Sequence, residues 1–475
     1  MDPARGDVRV RESLPSAMSR KLRRESISTG SLAPLRRAAL FWIMTCTLAP
    51  LSASSELPLF DSRVHNGSKT CVGAPCHGHE SPQDEAVWLN EGNIWSREDP
   101  HSRAYDVLLN KRSQRIAASL GLAEPAHEAK ICLDCHSDNV APSYRGEQFK
   151  LSDGIGCEAC HGGSEKWIKS HSLGPAHSEN LERGMFPTDD PRERATLCLS
   201  CHFGDEKRFV DHRLMGAGHP RQSFELHVFS QVMPAHYEID DDYRKRGKKT
   251  PSGVQAWGIG QAQAVTQILR VLLDEDLSHH GPWPEFVLFD CRACHHPLTD
   301  ERWRQRPSIA LGPGLARLND SNFLMLRHVV ELISPAEARD YRREVRALHR
   351  AVSEGAGSAP SIARKLLASI ASLAQQLDEW EVDAESARIL VASILDEGLS
   401  GEYSDYAAAE QAAMALQVLI DTLYATQAYD RGVLEALASQ VPALMDATRD
   451  PEAYRWTVLE APLAAMRESL ADGGD

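Results

Sequence analysis

The stretch Gly154-Ile155-Gly156-Cys157-Glu158-Ala159-Cys160-His161-Gly162-Gly163 contains the pattern that decides the fold: two cysteines three positions apart, followed at once by a histidine. Three other segments repeat this pattern, and one more has four residues between its cysteines. We number the segments sites 1 to 5 along the chain: Cys71, Cys76 and His77; Cys132, Cys135 and His136; Cys157, Cys160 and His161; Cys198, Cys201 and His202; Cys291, Cys294 and His295. Two thiols on one turn can bind the vinyl groups of a haem while the adjacent imidazole binds its iron. The sequence therefore predicts five covalently bound haem c groups.

Disulfides and zinc sites are the other common uses of paired cysteines. The chain has 11 cysteines, and all but Cys46 belong to the five sites. Only 20 of 475 residues are histidine, so a histidine after all five pairs has chance odds of roughly one in ten million. Zinc would need the pairs combined two by two, which five pairs do not allow. For the wider site 1, a disulfide stays open as the alternative.

The first 53 residues are predicted to be a signal peptide with an N-terminal extension. An apolar segment over 38–51 follows Arg36 and Arg37, and small residues follow the segment. This segment is too short to predict a membrane span. We expect cleavage near Ala53, export to the periplasm and a soluble mature protein.

Net charge bounds the choice of partners. The chain carries 52 basic and 67 acidic residues, a formal charge of −15, so nucleic-acid binding is not expected. The one dense basic run, 244–249, adjoins three aspartates at 240–242. Such a run more often faces water than binds an acidic redox partner.

The composition divides the mature chain into two predicted domains, both mainly α. A loop-rich haem domain over 54–300 is rich in Gly, Pro, His and Cys, so the porphyrins should supply part of its core and the haem-free form should be largely unfolded. Helical periodicity is nevertheless present there over 99–120 and 255–277. An all-α bundle over 301–475 is predicted to contain helices at 315–333, 336–352, 362–377, 384–396, 403–424, 432–445 and 453–470.

The function depends on the second ligand of each iron, because a second histidine closes the site and a missing one leaves it open. Thirteen histidines are available besides the five of the sites and the two in the helical half. Those we predict as metal ligands are His101, His171, His212, His219 and His236. His212 and His219 are favoured for sites 4 and 5, because they lie seven residues apart with Gly216 and Gly218 between them. His65 and His127 are weaker candidates.

Two segments resemble the cytochrome c-554 family, a tetrahaem group: Asp99-Pro100-His101-Ser102-Arg103-Ala104-Tyr105, and residues 154–163 with His171 further on. The resemblance extends from about Cys71 to Cys201. It implies that His101 binds the iron of site 3 and His171 that of site 1. It also implies that the iron of site 2 is five-coordinate. The fifth site and the helical half lie outside the family's pattern.

We expect a periplasmic cytochrome that transfers electrons between redox partner proteins, such as a quinol dehydrogenase, other cytochromes or a reductase. One alternative is an oxidoreductase of small nitrogen or sulfur oxyspecies with an open iron at site 2. The other is an electron-transfer subunit of a larger complex. The helical half is expected to cover site 5, with homo-oligomer formation as the alternative role.

Overall fold

A computed structural model describes residues 55–73, 76–83, 88–174, 176–274, 283–295, 305–355 and 357–472. Residues 54–475 form one compact unit. The predicted signal peptide and the predicted domain boundary at residue 300 lie outside the described residues. The described part is helical with a few isolated β-bridges, so the predicted mainly α fold is confirmed.

Short helices separated by loops make up the first half of the chain. Its α-helices are α1 (Ser68–Cys71), α2 (Glu91–Arg97), α3 (Ala104–Leu109), α4 (Lys111–Ser119), α5 (Lys130–His136), α6 (Cys157–His161), α7 (Ile168–His171), α8 (His177–Glu182), α9 (Pro191–His202), α10 (His212–Gly216), α11 (Leu226–Val232), α12 (Asp241–Lys245) and α13 (Gly253–Leu273). Short 3-10 helices lie at Pro58–Phe60, Pro100–Arg103, Pro142–Tyr144, Leu151–Asp153, Phe286–Leu288 and Cys291–Ala293. The helix predicted over 99–120 is three segments, because Asn110 is extended and its side chain caps the next helix at Ser113.

The described first half has no large apolar core of its own. Its separate clusters contain only three or four buried side chains each, such as Ile116, Val210 and Leu214. The exception is α13, which is buried along most of its length and packs against the helices of the second half. This distribution agrees with the expectation that bound porphyrins supply apolar surface around the five sites.

The second half is a set of packed helices around one large core. Its helices are α14 (Ser321–Ile333), α15 (Pro335–Ser353), α16 (Ala359–Asp378), α17 (Ala384–Leu399), α18 (Tyr406–Ala425), α19 (Arg431–Ala447) and α20 (Trp456–Asp472). Most predicted ends are within three residues of these bounds. The exception is the start of α14, predicted at residue 315. Residues 317–319 are instead extended and pair with 288–290, directly before site 5.

A buried network of charges joins this extended segment to the helical half. The guanidinium of Arg306, 1% exposed, donates to both carboxylate oxygens of Asp320 at 2.7 and 3.0 Å and contacts Asp405 at 3.1 Å. Arg317 contacts Asp405 at 3.5 Å and donates to Asp290 at 2.8 Å. Asp290 precedes Cys291, so the network connects site 5 to the bundle.

Replacing Arg306 with methionine should leave several buried carboxylates without their cation. Breaking a buried ion pair in this way costs about 3–5 kcal/mol. We therefore expect the Arg306→Met variant to lose stability of that order in denaturant unfolding of the holoprotein. Arg467→Met is the control, because Arg467 pairs with Asp396 on the surface with a side chain 41% exposed. Its loss should stay below about 1 kcal/mol, and equal losses in both variants would contradict the network's role.

Candidate haem centres

The local fold of each site follows from its sequence. Sites 2, 3 and 4 lie at the ends of α5, α6 and α9, and each of these helices ends at the site's histidine. A helical turn puts residues three apart on one face, so the two cysteines of a pair face the same side. Site 5 begins with the 3-10 turn Cys291–Ala293, and Cys71 of site 1 ends α1. All ten cysteines are free thiols.

Four of the five site histidines face a second histidine. The ring centres are 5.9 to 6.4 Å apart in the pairs His77 and His171 (6.1 Å), His101 and His202 (6.1 Å), His136 and His219 (6.4 Å), and His212 and His295 (5.9 Å). The interplanar angles are 13°, 85°, 79° and 30° in the same order. Two imidazoles that bind one metal from opposite sides through bonds of about 2 Å hold their ring centres about 6 Å apart. The residues present therefore fit haem iron.

Two of these pairs follow the sequence expectations. His171 faces His77, the site for which the resemblance implied it, and its ring also lies against Trp167 at 5.3 Å. His212 faces His295 of site 5, one of the two sites for which it was favoured. That these four histidines bind iron stays a prediction.

His101 faces a different site from the one implied. Its ring lies edge-on to that of His202 in site 4, whereas the resemblance assigned it to His161 of site 3. The turn around His101 explains this orientation. Asp99 accepts hydrogen bonds from both the backbone NH and the Nδ1 of His101, each at 2.9 Å, which fixes the ring.

His219 also differs from its expected place. It was favoured for sites 4 and 5, but it faces His136 of site 2, the site that the resemblance implied to be open. Arg112 helps to fix this turn, because its guanidinium donates to the carbonyl of Gly218 at 2.7 Å. No motif or spacing predicts the pairing of residues 136 and 219, because their rings meet only through packing between segments far apart in the chain.

His161 of site 3 is the most buried of the five site histidines. Burial, followed by the nearby positive charge of His236, lowers the pKa of His161 to about 3. The charge of the same histidine also acts on Asp99, so His236 is near both His161 and Asp99. His65 is a second imidazole in this region: Asp138 holds its Nδ1 at 2.7 Å, its ring approaches Gly163, and its buried Nε2 has no partner among the described residues.

The Nδ1 atoms of several paired histidines have hydrogen-bond partners that accept. Backbone carbonyls accept from His136 (Ala104, 3.0 Å), His171 (Ile168, 2.7 Å) and His219 (Pro220, 2.8 Å). A carbonyl cannot donate, so the proton is on Nδ1 and the lone pair of Nε2 is free for a metal. For His77 and His101 the Nδ1 partner is a carboxylate. An oxygen of Glu91 lies 2.8 Å from the Nδ1 of His77, and an oxygen of Asp99 lies 2.9 Å from the Nδ1 of His101. Glu91 was not predicted, and Asp99 had no predicted role, although an acid two positions before His101 was an available signal.

The attachment cysteines bring the sites into one group. The thiols of Cys71 and Cys157 are within hydrogen-bonding reach, which joins sites 1 and 3. Those of Cys135 and Cys201 join sites 2 and 4, and this contact lowers the pKa of Cys201 to about 6. Cys160 of site 3 is close enough to site 4 for the charges there to raise the pKa of its thiol, after burial, which is the larger cause.

Site 5 is connected to this group by two routes. The segment 212–219 carries one histidine facing site 5 and one facing site 2. Gln222 donates to the carbonyl of Cys201 at 2.5 Å, and its neighbour Arg221 interacts electrostatically with Cys291. All five sites thus belong to one connected set.

Close approaches around the sites require glycine. A side chain at Gly92 would lie 2.2 Å from a methyl of Val72 and 2.8 Å from the carbonyl of His77. One at Gly154, where φ is +68°, would lie 2.7 Å from the carbonyl of His101. The first glycine lets α2 approach site 1, and the second lets the loop before site 3 pack on the turn of His101.

Cysteine pairs on helical turns, opposed by paired imidazoles, define a c-type cytochrome domain, a class that binds haem covalently and transfers electrons. Residues 70–162, about a fifth of the chain, match the family model for cytochrome c554 and c-prime, so this segment is cytochrome c554-like. The match includes sites 1 to 3 and ends at Gly162, short of the predicted extent to Cys201. No curated protein and no solved structure matches the chain.

Replacing Gly92 with alanine should disturb site 1 selectively. The added methyl would clash with Val72 and force α2 away from His77, at a cost of about 1–3 kcal/mol. We expect a lower melting temperature of the holoprotein and partial loss of one haem per chain. Gly73→Ala, between the two cysteines of site 1, is the control, because its methyl would meet only a carbonyl oxygen at 3.9 Å. Equal behaviour of the two variants would contradict the close approach of α2.

Proposed function

We propose that this chain is a periplasmic electron-transfer protein with five haem c groups, each iron bound by two histidines. The observation that carries the proposal is the set of four histidine pairs with ring centres about 6 Å apart. His236 is proposed as the second ligand of site 3, because its charge acts on His161 more strongly than that of any other residue. His65 is the alternative there.

Haem c, when bound, supplies a one-electron iron couple. The paired histidines would hold the irons from both sides and would leave no position open to small molecules. The interactions between cysteines of neighbouring sites support a path for electrons through sites 1, 3, 4 and 2, in that order. The segment 212–222 supports extending this path to site 5. Such an arrangement suits transfer of electrons through the molecule better than reaction with a substrate.

His219 decides between this role and the enzymatic alternative. A small-molecule oxidoreductase of this type needs an open iron, and the resemblance implied one at site 2. With His219 facing His136, the carrier role is favoured.

The proposed compartment and partners rest on the sequence. Covalent haem attachment outside the cytoplasm and the apolar segment over 38–51 support the periplasm, and no helix in the described residues is long and apolar enough to cross a membrane. Redox proteins such as a quinol dehydrogenase, another cytochrome or a reductase are the proposed partners. The basic run 244–249 is a poor docking site, because Arg246 pairs with Asp242 and Lys249 with Asp190.

Intact mass and low-temperature electron paramagnetic resonance of the oxidised holoprotein test the proposal. We expect five haems per chain and low-spin signals that nitric oxide leaves unchanged. Fewer than five haems would overturn the count. A high-spin signal that nitric oxide removes would favour the enzymatic alternative.

His219→Gly should open one site. Removing this imidazole leaves His136 as the only protein ligand at site 2, so we expect one high-spin iron per chain that binds nitric oxide. His79→Gly is the control, because the ring of His79 is not among the paired imidazoles. A His219→Gly protein that stays fully low-spin would show that His219 does not bind iron.

A further inference from the structure

We propose that Glu91 and Asp99 are positioning residues that lower the reduction potentials of sites 1 and 4. The inference rests on the proposed function, since it concerns the two axial histidines that these carboxylates hold. Each carboxylate accepts a hydrogen bond from the Nδ1 of a paired histidine, His77 for Glu91 and His101 for Asp99.

Glu91 is directed at site 1 by the backbone. It is the first residue of α2, and the NH of the following Gly92 donates to the carbonyl of His77 at 2.8 Å. The start of the helix is thereby fixed to the histidine that its first side chain contacts. The carboxylate is partly shielded, with 25% of the side chain exposed.

The carboxylate of Asp99 is more buried than that of Glu91 and accepts two hydrogen bonds from His101. Its side chain is 7% exposed and also caps the turn Pro100–Arg103 through the NH of His101. One carboxylate oxygen therefore fixes the backbone and the ring of His101 together. The ring of His202 in site 4 lies opposite.

The other paired histidines with a described Nδ1 partner have neutral ones. At site 2 both rings donate to backbone carbonyls, from His136 to Ala104 and from His219 to Pro220. Within the described residues, Glu91 and Asp99 contact rings of the four facing pairs, whereas the carboxylate of Glu285 accepts from the backbone NH of His212 and not from its ring. Sites 1 and 4 thus differ from site 2 in having a negatively charged hydrogen-bond partner on one histidine.

The physical reason is the basicity of the ligand. A carboxylate on Nδ1 gives the imidazole more anionic character and makes its Nε2 a stronger donor to the metal. A more strongly donating ligand stabilises ferric over ferrous iron. A negative charge with limited exposure to water acts in the same direction, because the oxidised site carries one more positive charge.

The ring angles supply a way to observe sites 1 and 4 separately. Nearly parallel imidazoles, as at site 1 (13°), keep the two iron orbitals that they overlap at different energies, whereas perpendicular ones, as at site 4 (85°), leave them almost equal. The two arrangements give different low-spin paramagnetic signals. Site 5 also has a small angle, at 30°, and site 2 shares the perpendicular type at 79°, so each variant itself identifies which signal belongs to its site.

The test is a redox titration of the holoprotein followed by electron paramagnetic resonance, with Glu91→Gln and Asp99→Asn as variants. Both substitutions keep an acceptor oxygen and remove only the charge. We expect Glu91→Gln to shift the reduction equilibrium of one small-angle signal, that of site 1, about tenfold towards the reduced state, a rise of about 59 mV for one electron. Asp99→Asn should raise the reduction potential of the site that gives one of the perpendicular-type signals by a similar amount.

Glu98→Gln is the matched control, because this exposed carboxylate lies next to Asp99 in the chain and contacts none of the paired rings. Shifts no larger than those of the control would overturn the inference while the low-spin signals keep the proposed function intact. If the wild-type protein itself lacks paired low-spin signals, the proposed function fails instead. Haem content of each variant, measured by absorbance, separates a changed potential from a lost haem.

Discussion

The separation of about 6 Å between facing imidazole rings is the constraint on which the rest of this structure depends. It requires α10 to lie between two sites, the turn at Pro100–Arg103 to face α9, and α7 to return to site 1. Five of the eight paired rings have a carbonyl or carboxylate as hydrogen-bond partner of Nδ1. The loops of the first half are therefore ordered by ligand geometry more than by apolar packing.

The helical half supplies the large apolar core that the described first half lacks. The described first half buries only small apolar clusters. Helix α13 connects it to the large core, because its buried side chains pack there with those of the second half. Around site 5, the buried Arg306 network and the paired segments 288–290 and 317–319 attach the last site to that support. The helical half thus supports the candidate haem sites.

Apolar periodicity and the spacing of helix-ending residues predicted much of the secondary structure. The mainly α fold and most helix ends in the second half followed from local sequence, because caps and apolar repeats act over a few residues. Two of the four histidine pairings did not follow. His101 and His219 face sites other than those expected, since a ring's partner is set by packing between segments far apart in the chain. Glu91 carried no sequence signal because its role exists only once α2 meets site 1.

The most direct test of the account is a crystal structure of the haem-loaded protein with iron located by anomalous scattering. The account predicts five iron positions, four of them midway between the paired rings of His77 and His171, His101 and His202, His136 and His219, and His212 and His295, with the fifth beside His161. An iron at His136 with no histidine opposite, or a cysteine pair with no iron near it, would contradict it.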